Sequence, residues 1–278
     1  NLSQEIDKTR IRNKDCCLRQ AAFDINPIPV NRLKFRIHKL LRGHADKVAN
    51  ICWASTGNDL YSVCQDGFMI KWCPVSGLKK SYSILRNPWV LTSAVSQDLR
   101  LFALAGLDNV CTVYQISHHP LFQSAPGQGN TIRAVFSGHS AYISDCVFNT
   151  NNTILTSSGD MTLALWDIAK GGKTRNFVDH LGDVLCLSLA NDKNDTSGNI
   201  FVSGSTDGYT KVWDCRQQNS VQNFSSIGGK DVNCLKMFPG SYSFVAGFGD
   251  GVVRLYDLRS DVELESYSLL AEIRQLAS

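Results

Sequence analysis

Short apolar runs separated by turn-forming residues recur along most of the chain. Between residues 142 and 178 the runs are 142–148, 153–157, 163–167 and 174–178. They are rich in β-branched and aromatic residues and are bounded by Gly, Ser, Asn and Asp, which predicts four consecutive β-strands. One four-stranded sheet leaves apolar surface exposed on its faces, whereas several such sheets stacked around an axis cover each other.

One ten-residue pattern occurs five times, with an Asp followed six residues later by Trp or Tyr. The copies are CQDGFMIKWC (64–73), GLDNVCTVYQ (106–115), SGDMTLALWD (158–167), STDGYTKVWD (205–214) and FGDGVVRLYD (248–257). Their Asp residues are spaced by 42, 52, 47 and 43 positions. Periods near 40–45 are typical of propeller blades. The polar stretches 117–131 and 191–199 are predicted to be surface loops inserted in the two longest intervals.

A His precedes three of these units, in Gly43-His44, Gly138-His139 and the variant Asp179-His180. Together with the Asp and Trp, this resembles the signature of WD repeats. In that family the His, a Ser or Thr of the second strand, the turn Asp and the Trp form one buried hydrogen-bond chain. The matching residues are His44, Ser62, Asp66 and Trp72; His139, Thr156, Asp160 and Trp166; and His180, Ser203, Asp207 and Trp213.

The second and fifth units keep the turn residues Asp108 and Asp250 but lack the His, and Tyr replaces Trp. Their networks are therefore expected to be incomplete. A buried His-Asp pair also resembles part of a catalytic triad. Because the pair recurs from unit to unit, whereas an active site is singular, we interpret it as structural.

Composition narrows the classes of protein. The 278 residues are 43% hydrophobic and 19% charged, which is typical of a globular protein with a sizeable core. A net charge of +3 is too small to indicate nucleic-acid or membrane binding. Several of the ten Cys lie inside apolar runs, as Cys146 and Cys186 do, which is typical of buried free thiols and favours a reduced cytosolic compartment. No apolar run approaches the length of about 18 residues that would predict a membrane span.

Motifs for catalysis or metal binding are missing from the sequence. It contains no P-loop, GxGxxG, HExxH or GxSxG motif. It also has no CxxC pair, so a structural zinc site is not expected. The adjacent His118 and His119, and the adjacent Cys16 and Cys17, are interpreted as side chains that bind no metal. We therefore expect a non-enzymatic protein without a cofactor or a metal.

Residues 1–42 precede the repeats and differ from them. Residues 1–23 contain many charges but neither Gly nor Pro, and they predict a helix over 1–25. A weak coiled-coil seam with 4-3-4-3 spacing is formed by Leu2, Ile6, Thr9, Asn13 and Cys16, with Leu18 nearby. So polar a helix does not fold easily alone, which favours packing against a partner over a solvated surface helix. Residues 26–42 are read as a linker followed by a half-buried strand, because 33–41 alternate between apolar and polar.

An N-terminal helix before a WD propeller resembles the beta subunit of heterotrimeric GTP-binding proteins, from about residue 5 to the end. The resemblance is carried by AGLDNVCTVY (105–114), TSSGDMTLALWDI (156–168) and DHLGDVLCLSL (179–189). AYISD, DHLGDVL and STDGYTKVWD are most similar to the budding-yeast type that carries mating-pheromone signals. The alternative from another class is a general WD-repeat adaptor or substrate receptor, and the specific motifs favour the beta subunit.

The resemblance implies an all-β propeller of seven blades, a gamma subunit that pairs with the N-terminal helix through Leu2, Ile6, Thr9 and Leu18, a GDP-loaded alpha subunit on one face, and downstream effectors. Membrane association at the cytoplasmic face of the plasma membrane would come only through lipidated partners. Residues 43–278 would supply five blades, so the chain is expected to be incomplete at its C-terminus by two blades, about 80–90 residues. The strand over 33–41, which closes the ring in the family, would then lack its partner.

The resemblance also implies an alpha-facing surface. Positions that match or nearly match those of the family are Lys47, Ile70, Lys79, Trp89, Leu107, Asn109, Tyr142, Asp183, Asp231 and Asn233, and Leu91 and Leu185 stand where Met is common. Four positions depart from the family, namely Ala45, Ala49, Phe68 and Gly249. Trp89 follows Asn87-Pro88 at a strand entrance, which favours an exposed aromatic anchor over a packing residue.

Overall fold

The computed structural model describes residues 36–116, 131–190, 198–225, 228–238, 242–260 and 263–268. Two compact units meet in sequence between Leu40 and Leu41. The described part of the first unit, residues 36–40, contains no strand or helix, and the architecture below belongs to the second unit. The predicted helix at 1–25 and the predicted gamma-facing residues Leu2, Ile6, Thr9 and Leu18 lie outside the described residues.

All regular secondary structure in the described part of the chain is β-strand, arranged as five four-stranded antiparallel sheets. Blade one contains β1 (Val48–Trp53), β2 (Leu60–Cys64), β3 (Phe68–Trp72) and β4 (Lys79–Ile84); blade two β5 (Val90–Val95), β6 (Leu101–Gly106), β7 (Val110–Gln115) and β8 (Ile132–Ser137); blade three β9 (Ile143–Phe148), β10 (Thr153–Ser158), β11 (Thr162–Asp167) and β12 (Gly172–Val178); blade four β13 (Val184–Leu189), β14 (Ile200–Ser205), β15 (Tyr209–Asp214) and β16 (Gln222–Ser225); blade five β17 (Val232–Met237), β18 (Ser243–Phe248), β19 (Val252–Asp257) and β20 (Glu263–Ser268). The predicted all-β WD-repeat fold is confirmed, and the four strands predicted between 142 and 178 match β9–β12 to within two residues.

The strands of each blade pair in chain order, so every blade is a simple meander. The first strands of successive blades, β1, β5, β9, β13 and β17, contact one another in turn. The first strand is therefore the inner strand of each blade. The fourth strand lies at the opposite edge of the sheet, with no strand beyond it among the described residues.

The hydrophobic core lies between neighbouring blades. Tyr61 of blade one packs on Phe102 of blade two, with ring centroids 5.6 Å apart. Phe177 of blade three packs on Phe201 and Trp213 of blade four, at 5.1 and 5.7 Å. Each of these aromatic side chains is fully buried. Because apolar clusters span two blades at a time, no blade buries its own faces alone.

The inner strands run side by side in the same direction, as the polar contacts between them show. The carboxylate of Asp145, on β9, accepts hydrogen bonds from Thr92 Oγ1 of β5 at 2.9 Å and from the backbone N–H of Leu187 on β13 at 3.1 Å. Between blades one and two, Asn50 contacts Thr92 and, further along both segments, Ser55 contacts Gln97. Between β13 and β17, Cys186 contacts Val232 and Ser188 contacts Met237. The contacts advance along both strands of a pair together, which shows that the strands are parallel. All the inner strands therefore begin at the same end of the blades, which we call the entry rim.

The strand predicted over 33–41 is not formed in residues 36–41, the part that the structure describes. Ile37 and Leu40 are exposed there. Alternation makes a segment amphipathic, but a strand also needs a hydrogen-bonding partner. The five described sheets already consist of β1–β20 alone, so none of them supplies that partner.

No helix of the described residues is both long and apolar enough to cross a membrane.

Candidate protein-binding rim

Each repeated Asp forms a tight turn at the entry rim, between the second and third strands. In blade three Asp160 Oδ1 accepts the backbone N–H of Thr162 at 3.1 Å, and Met161 between them has φ of 66°. Gly67 and Gly208 occupy the same place in blades one and four with positive φ, as Asn109 does in blade two. A short side chain that bonds the backbone, followed by a residue that tolerates left-handed φ, explains the recurring Asp-Gly and Asp-Asn pairs.

The four predicted residues of blade three form one hydrogen-bond chain. Trp166 Nε1–H donates to Thr156 Oγ1 at 2.8 Å, and Thr156 Oγ1 lies 2.8 Å from His139 Nε2. His139 Nδ1 lies 2.9 Å from Asp160 Oδ2. Because the Trp can only donate, the chain is consistent with Thr156 donating to Nε2 and with Nδ1–H donating to the carboxylate.

Blades one and four repeat this geometry. His44 lies 3.1 Å from Asp66 and 2.7 Å from Ser62, and Trp72 donates to Ser62 at 2.7 Å. In blade four the same three distances are 2.8, 2.7 and 2.8 Å, for His180–Asp207, His180–Ser203 and Trp213–Ser203. The chain links the entry loop to the second and third strands of each of these blades.

The charge state of the network follows from its surroundings. Burial raises the pKa of Asp207, but hydrogen bonds from His180 and from the backbone N–H of Leu181 outweigh that effect, and the pKa falls to about 2. Burial is the main reason why the pKa of His139 is lowered, although Asp160 opposes it. Asp207 is therefore a carboxylate and His139 a neutral imidazole at neutral pH.

Blades two and five replace the chain with other contacts. In blade two, Arg86 stands four residues before the inner strand, where His stands elsewhere, and its backbone N–H donates to Tyr114 Oη at 3.0 Å. In blade five the buried Arg254 donates to Asp250 Oδ2 at 2.8 Å and lies 3.4 Å from Glu263. The fifth turn is thus fixed by an ion pair instead of a His.

Residues predicted to face a partner occupy the entry rim of all five blades. Lys47, Trp89, Tyr142, Asp183 and Asp231 each immediately precede an inner strand. They are brought to one end because the inner strands run in the same direction. Lys47, Trp89 and Asp231 are exposed, and Tyr142 and Asp183 are half-buried.

Three further predicted residues, Leu91, Leu185 and Asn233, share a structural feature. Each is the second residue of an inner strand, at the point where the ladder to the next strand skips one position. A bulge of this kind re-aims a side chain and is common beside functional sites. The same interruption occurs in β1.

Trp89 is the most prominent apolar residue among the predicted ones, with 58% of its surface exposed. Its carbonyl accepts the backbone N–H of Leu107, which is also exposed, at 2.9 Å. A Cβ on Gly106 would lie 2.1 Å from that carbonyl, so this Gly is required for the two segments to meet. Asn87 Oδ1 accepts the Trp89 N–H at 3.0 Å. The backbone that carries the Trp is therefore held on both sides, while its ring remains free.

Two predicted residues of adjacent blades contact each other. Tyr142 Oη donates to Asp183 Oδ2 at 2.9 Å, which joins blades three and four at the rim. Burial, and then the hydrogen bond to this carboxylate, raise the pKa of Tyr142. The ring of Tyr142 also lies on Gly159, where a Cβ would come within 2.4 Å of it.

Two predicted residues differ from the rest. Ile70 is only 3% exposed and packs with Leu60 and Trp72, so the structure contradicts the prediction that it presents a surface to a partner. Lys79 is exposed, but its Nζ donates to the Gly43 carbonyl at 3.3 Å and lies over the Trp72 ring. Lys173 makes the same two contacts in blade three, with Gly138 and Trp166, which indicates that Lys79 also stabilises the blade.

Several residues of the rim and of the inner strands were missed by sequence reasoning. Leu181, directly after His180, is 85% exposed, and Met161 is exposed in the third Asp turn. An apolar residue directly after the His or within an Asp turn lies in a loop at the rim, so its position in the sequence could have predicted that it is exposed. Asp145, which joins blades two, three and four, was also missed, although an Asp inside the apolar run ISDCVF points to a buried polar role.

Meander blades, three complete His–Ser/Thr–Trp–Asp chains and a rim with exposed apolar residues define a WD-repeat propeller with a candidate protein-binding surface. The chain matches the G protein beta WD-40 repeat protein family over residues 1–278. It is 39% identical over 269 residues to the guanine nucleotide-binding protein subunit beta of Saccharomyces cerevisiae, covering 96% of this chain and 62% of the yeast protein.

Subunits of the same name from Arabidopsis thaliana and from Oryza sativa subsp. japonica are 35% and 32% identical. Those alignments cover 82% and 87% of this chain, and 60% and 63% of the plant proteins. The chain therefore belongs to the G protein beta WD-40 repeat family. It spans about three fifths of the length of these relatives.

Proposed function

We propose that this protein acts as the beta subunit of a heterotrimeric GTP-binding protein. It is a non-catalytic scaffold that binds a gamma subunit constitutively and a GDP-loaded alpha subunit through the entry rim. After alpha leaves, the same rim binds effectors and relays a receptor signal of the pheromone type. Family membership supports the general role, and the exposed Trp89 supports the use of this rim.

The observation that carries the alpha-binding proposal is the surroundings of Trp89. An aromatic side chain that projects from a fixed backbone, beside the exposed Leu107, forms an apolar contact at low entropic cost. Charged residues lie on the same rim of other blades, with Lys47 on blade one and Asp183 and Asp231 on blades four and five. An apolar anchor with a polar periphery is the usual arrangement of a protein interface.

Gamma binding is assigned to the N-terminal segment, where Leu2, Ile6, Thr9 and Leu18 would form the seam. The support is the heptad-like spacing alone. Lipidated partners would hold the complex at the cytoplasmic face of the plasma membrane, as the resemblance to heterotrimeric G-protein beta subunits implies.

Trp89→Ala in the full-length protein should weaken binding of GDP-loaded alpha by about 2 kcal/mol or more, roughly thirtyfold, because an exposed anchor is lost. Ile132→Ala is the control, since Ile132 is an exposed apolar residue of the same blade, at 46%, but begins β8 at the end of the blade opposite the entry rim. Affinities are measured by titrating GDP-loaded alpha onto immobilised wild-type and variant proteins.

The gamma subunit supplies the second readout. Trp89→Ala should retain gamma, whereas Ile6→Asp should lose it because a charge enters the predicted seam. Loss of alpha and gamma together in Trp89→Ala would mean that Trp89 packs within the fold, and the proposed rim interface would be wrong. Normal gamma binding by Ile6→Asp would favour a solvated surface helix.

A further inference from the structure

Three metal-ligating side chains converge at the entry rim of blade one, namely His44, Cys64 and Asp66. One potential ligand atom from each lies within 4.8 Å of the others. In the part of the chain that the structure describes, no other group of three such residues meets this condition. The imidazole and the carboxylate belong to the WD network, but the thiol does not.

The thiol occupies a position that is a serine in the equivalent blades. Asp66 N–H lies 3.4 Å from Cys64 Sγ, and in blades three and four the Asp N–H donates to Ser158 Oγ and to Ser205 Oγ, each at 3.2 Å. The fold therefore needs only a small acceptor here. Exchange of Ser for Cys keeps that contact and adds a soft ligand beside a His and an Asp.

We propose that His44, Cys64 and Asp66 form a binding site for a soft or borderline divalent transition-metal ion, with zinc as the best fit. Thiolate, imidazole and carboxylate are the three ligand types that zinc takes, and a water completes an open tetrahedral site. The ligand atoms of such a site lie about 3.4–3.6 Å apart. The three ligand atoms lie within 4.8 Å of one another, so binding would need them to approach by at most about 1.4 Å.

The remaining contacts of the network are compatible with a bound ion. Ala45 N–H and Phe68 N–H donate to the carboxylate of Asp66, each at 3.0 Å, and hold it in place. With the metal on His44 Nδ1, the ring carries its proton on Nε2 and donates to Ser62 Oγ. A hydroxyl oxygen has two lone pairs, so Ser62 accepts from both His44 and Trp72, and its own O–H turns away from Nε2 to another acceptor.

The site is confined to blade one. Blades three and four have the His and the Asp but a Ser in place of Cys64, and blades two and five lack the His. The site has no CxxC motif by which the sequence could predict it. His44 and Cys64 are 20 residues apart and Cys64 and Asp66 are 2 apart, and they meet only because the Asp turn packs against the entry loop. The proposal does not depend on the proposed signalling role.

The test compares the full-length wild type with Cys64→Ser under reducing conditions. Cadmium is the probe, because its thiolate complexes have an ultraviolet charge-transfer band, and zinc affinity follows by competition. Cys64→Ser should lose one tight site, with affinity falling by at least about tenfold, since even residues behind metal ligands change affinity by 10–100-fold. The variant should fold normally, since Ser occupies the equivalent positions 158 and 205.

Two further measurements exclude binding by other thiols. Imidazole nitrogen NMR should show zinc moving His44 from the Nδ1–H to the Nε2–H tautomer in wild type but not in Cys64→Ser. Ser158→Cys should gain one cadmium site, built with His139 and Asp160. Equal metal binding by wild type and Cys64→Ser, an unchanged His44 tautomer at zinc saturation, or no additional site in Ser158→Cys would each overturn the proposal.

Discussion

Thr156→Val isolates the energy of the hydrogen-bond chain in blade three. The hydroxyl of Thr156 is fully buried, accepts from Trp166 Nε1–H and bonds His139 Nε2, each at 2.8 Å. Val has nearly the same shape, so the change removes the hydroxyl and leaves two buried polar atoms unpaired. Each buried polar group without a hydrogen-bond partner lowers the free energy of unfolding by about 1–3 kcal/mol. The free energy of unfolding should fall by about 2–6 kcal/mol.

The assay is urea unfolding of the full-length protein, followed by tryptophan fluorescence. Thr174→Val is the matched control. Thr174 is exposed on β12, so the same exchange there removes a hydroxyl group from the surface and no buried hydrogen bond. Adding Trp166→Phe to Thr156→Val removes the indole N–H that Thr156→Val leaves without a hydrogen-bond partner. Replacing both partners of a hydrogen bond by apolar groups is nearly neutral. Trp166→Phe should therefore lower the free energy of unfolding less in the Thr156→Val protein than in wild type.

Blade two supports this expectation, because Leu104 and Tyr114 replace the Thr and the Trp together. Tyr114 Oη still has a partner there, in the Arg86 N–H. The reasoning is refuted if Thr156→Val shifts the urea midpoint no further than Thr174→Val does. It is also refuted if the two changes at 156 and 166 are simply additive.

Two other properties of the fold are open to similar measurement. Gly159→Ala should destabilise the protein by about 1–3 kcal/mol in urea unfolding, because its Cβ would overlap the Tyr142 ring, whereas Gly172→Ala, which faces open space, should not. The urea midpoint should also fall as pH drops from 3.8 towards 2, because Asp207 has a pKa of about 2 when folded and 3.8 otherwise. Its contribution is present above pH 3.8 and lost as the folded carboxylate protonates. Asp207→Asn should flatten that part of the profile, and an unchanged slope would exclude the His180–Asp207 pair as its source.

The repeat made much of this fold predictable. A turn Asp, a Trp six residues later and an upstream His are fixed in sequence because each blade needs the same hydrogen bonds. The strands around them were equally predictable, since short runs of β-branched residues between turn-forming residues are compatible with few structures other than β-strands. Residues of blades two and five were correctly expected to lack the full chain. Their substitutes, Tyr114 Oη and Arg254, were not foreseen, because nothing in the sequence fixes where a side chain that departs from the repeat will turn.

The rim was less predictable than the blades that carry it. Ile70 was expected to face a partner, yet it is buried beside Trp72, because inward and outward positions depend on how neighbouring segments pack. The bulges at the second residue of the inner strands have no signature in the sequence. Register shifts depend on the pairing of two strands, and a single strand does not encode them locally.

A repeated architecture can still carry a surface that differs from blade to blade, and the residue after each His shows how. Ala45, Ser140 and Leu181 each donate a backbone N–H to the turn Asp of their blade, at 3.0, 2.9 and 2.9 Å. The network constrains these backbones identically but makes no demand on the side chains, which point outward. Their identity is therefore free to change without loss of the fold. The same hydrogen bonds that stabilise the blades thus position, on rigid supports, the variable residues from which a specific binding surface is built.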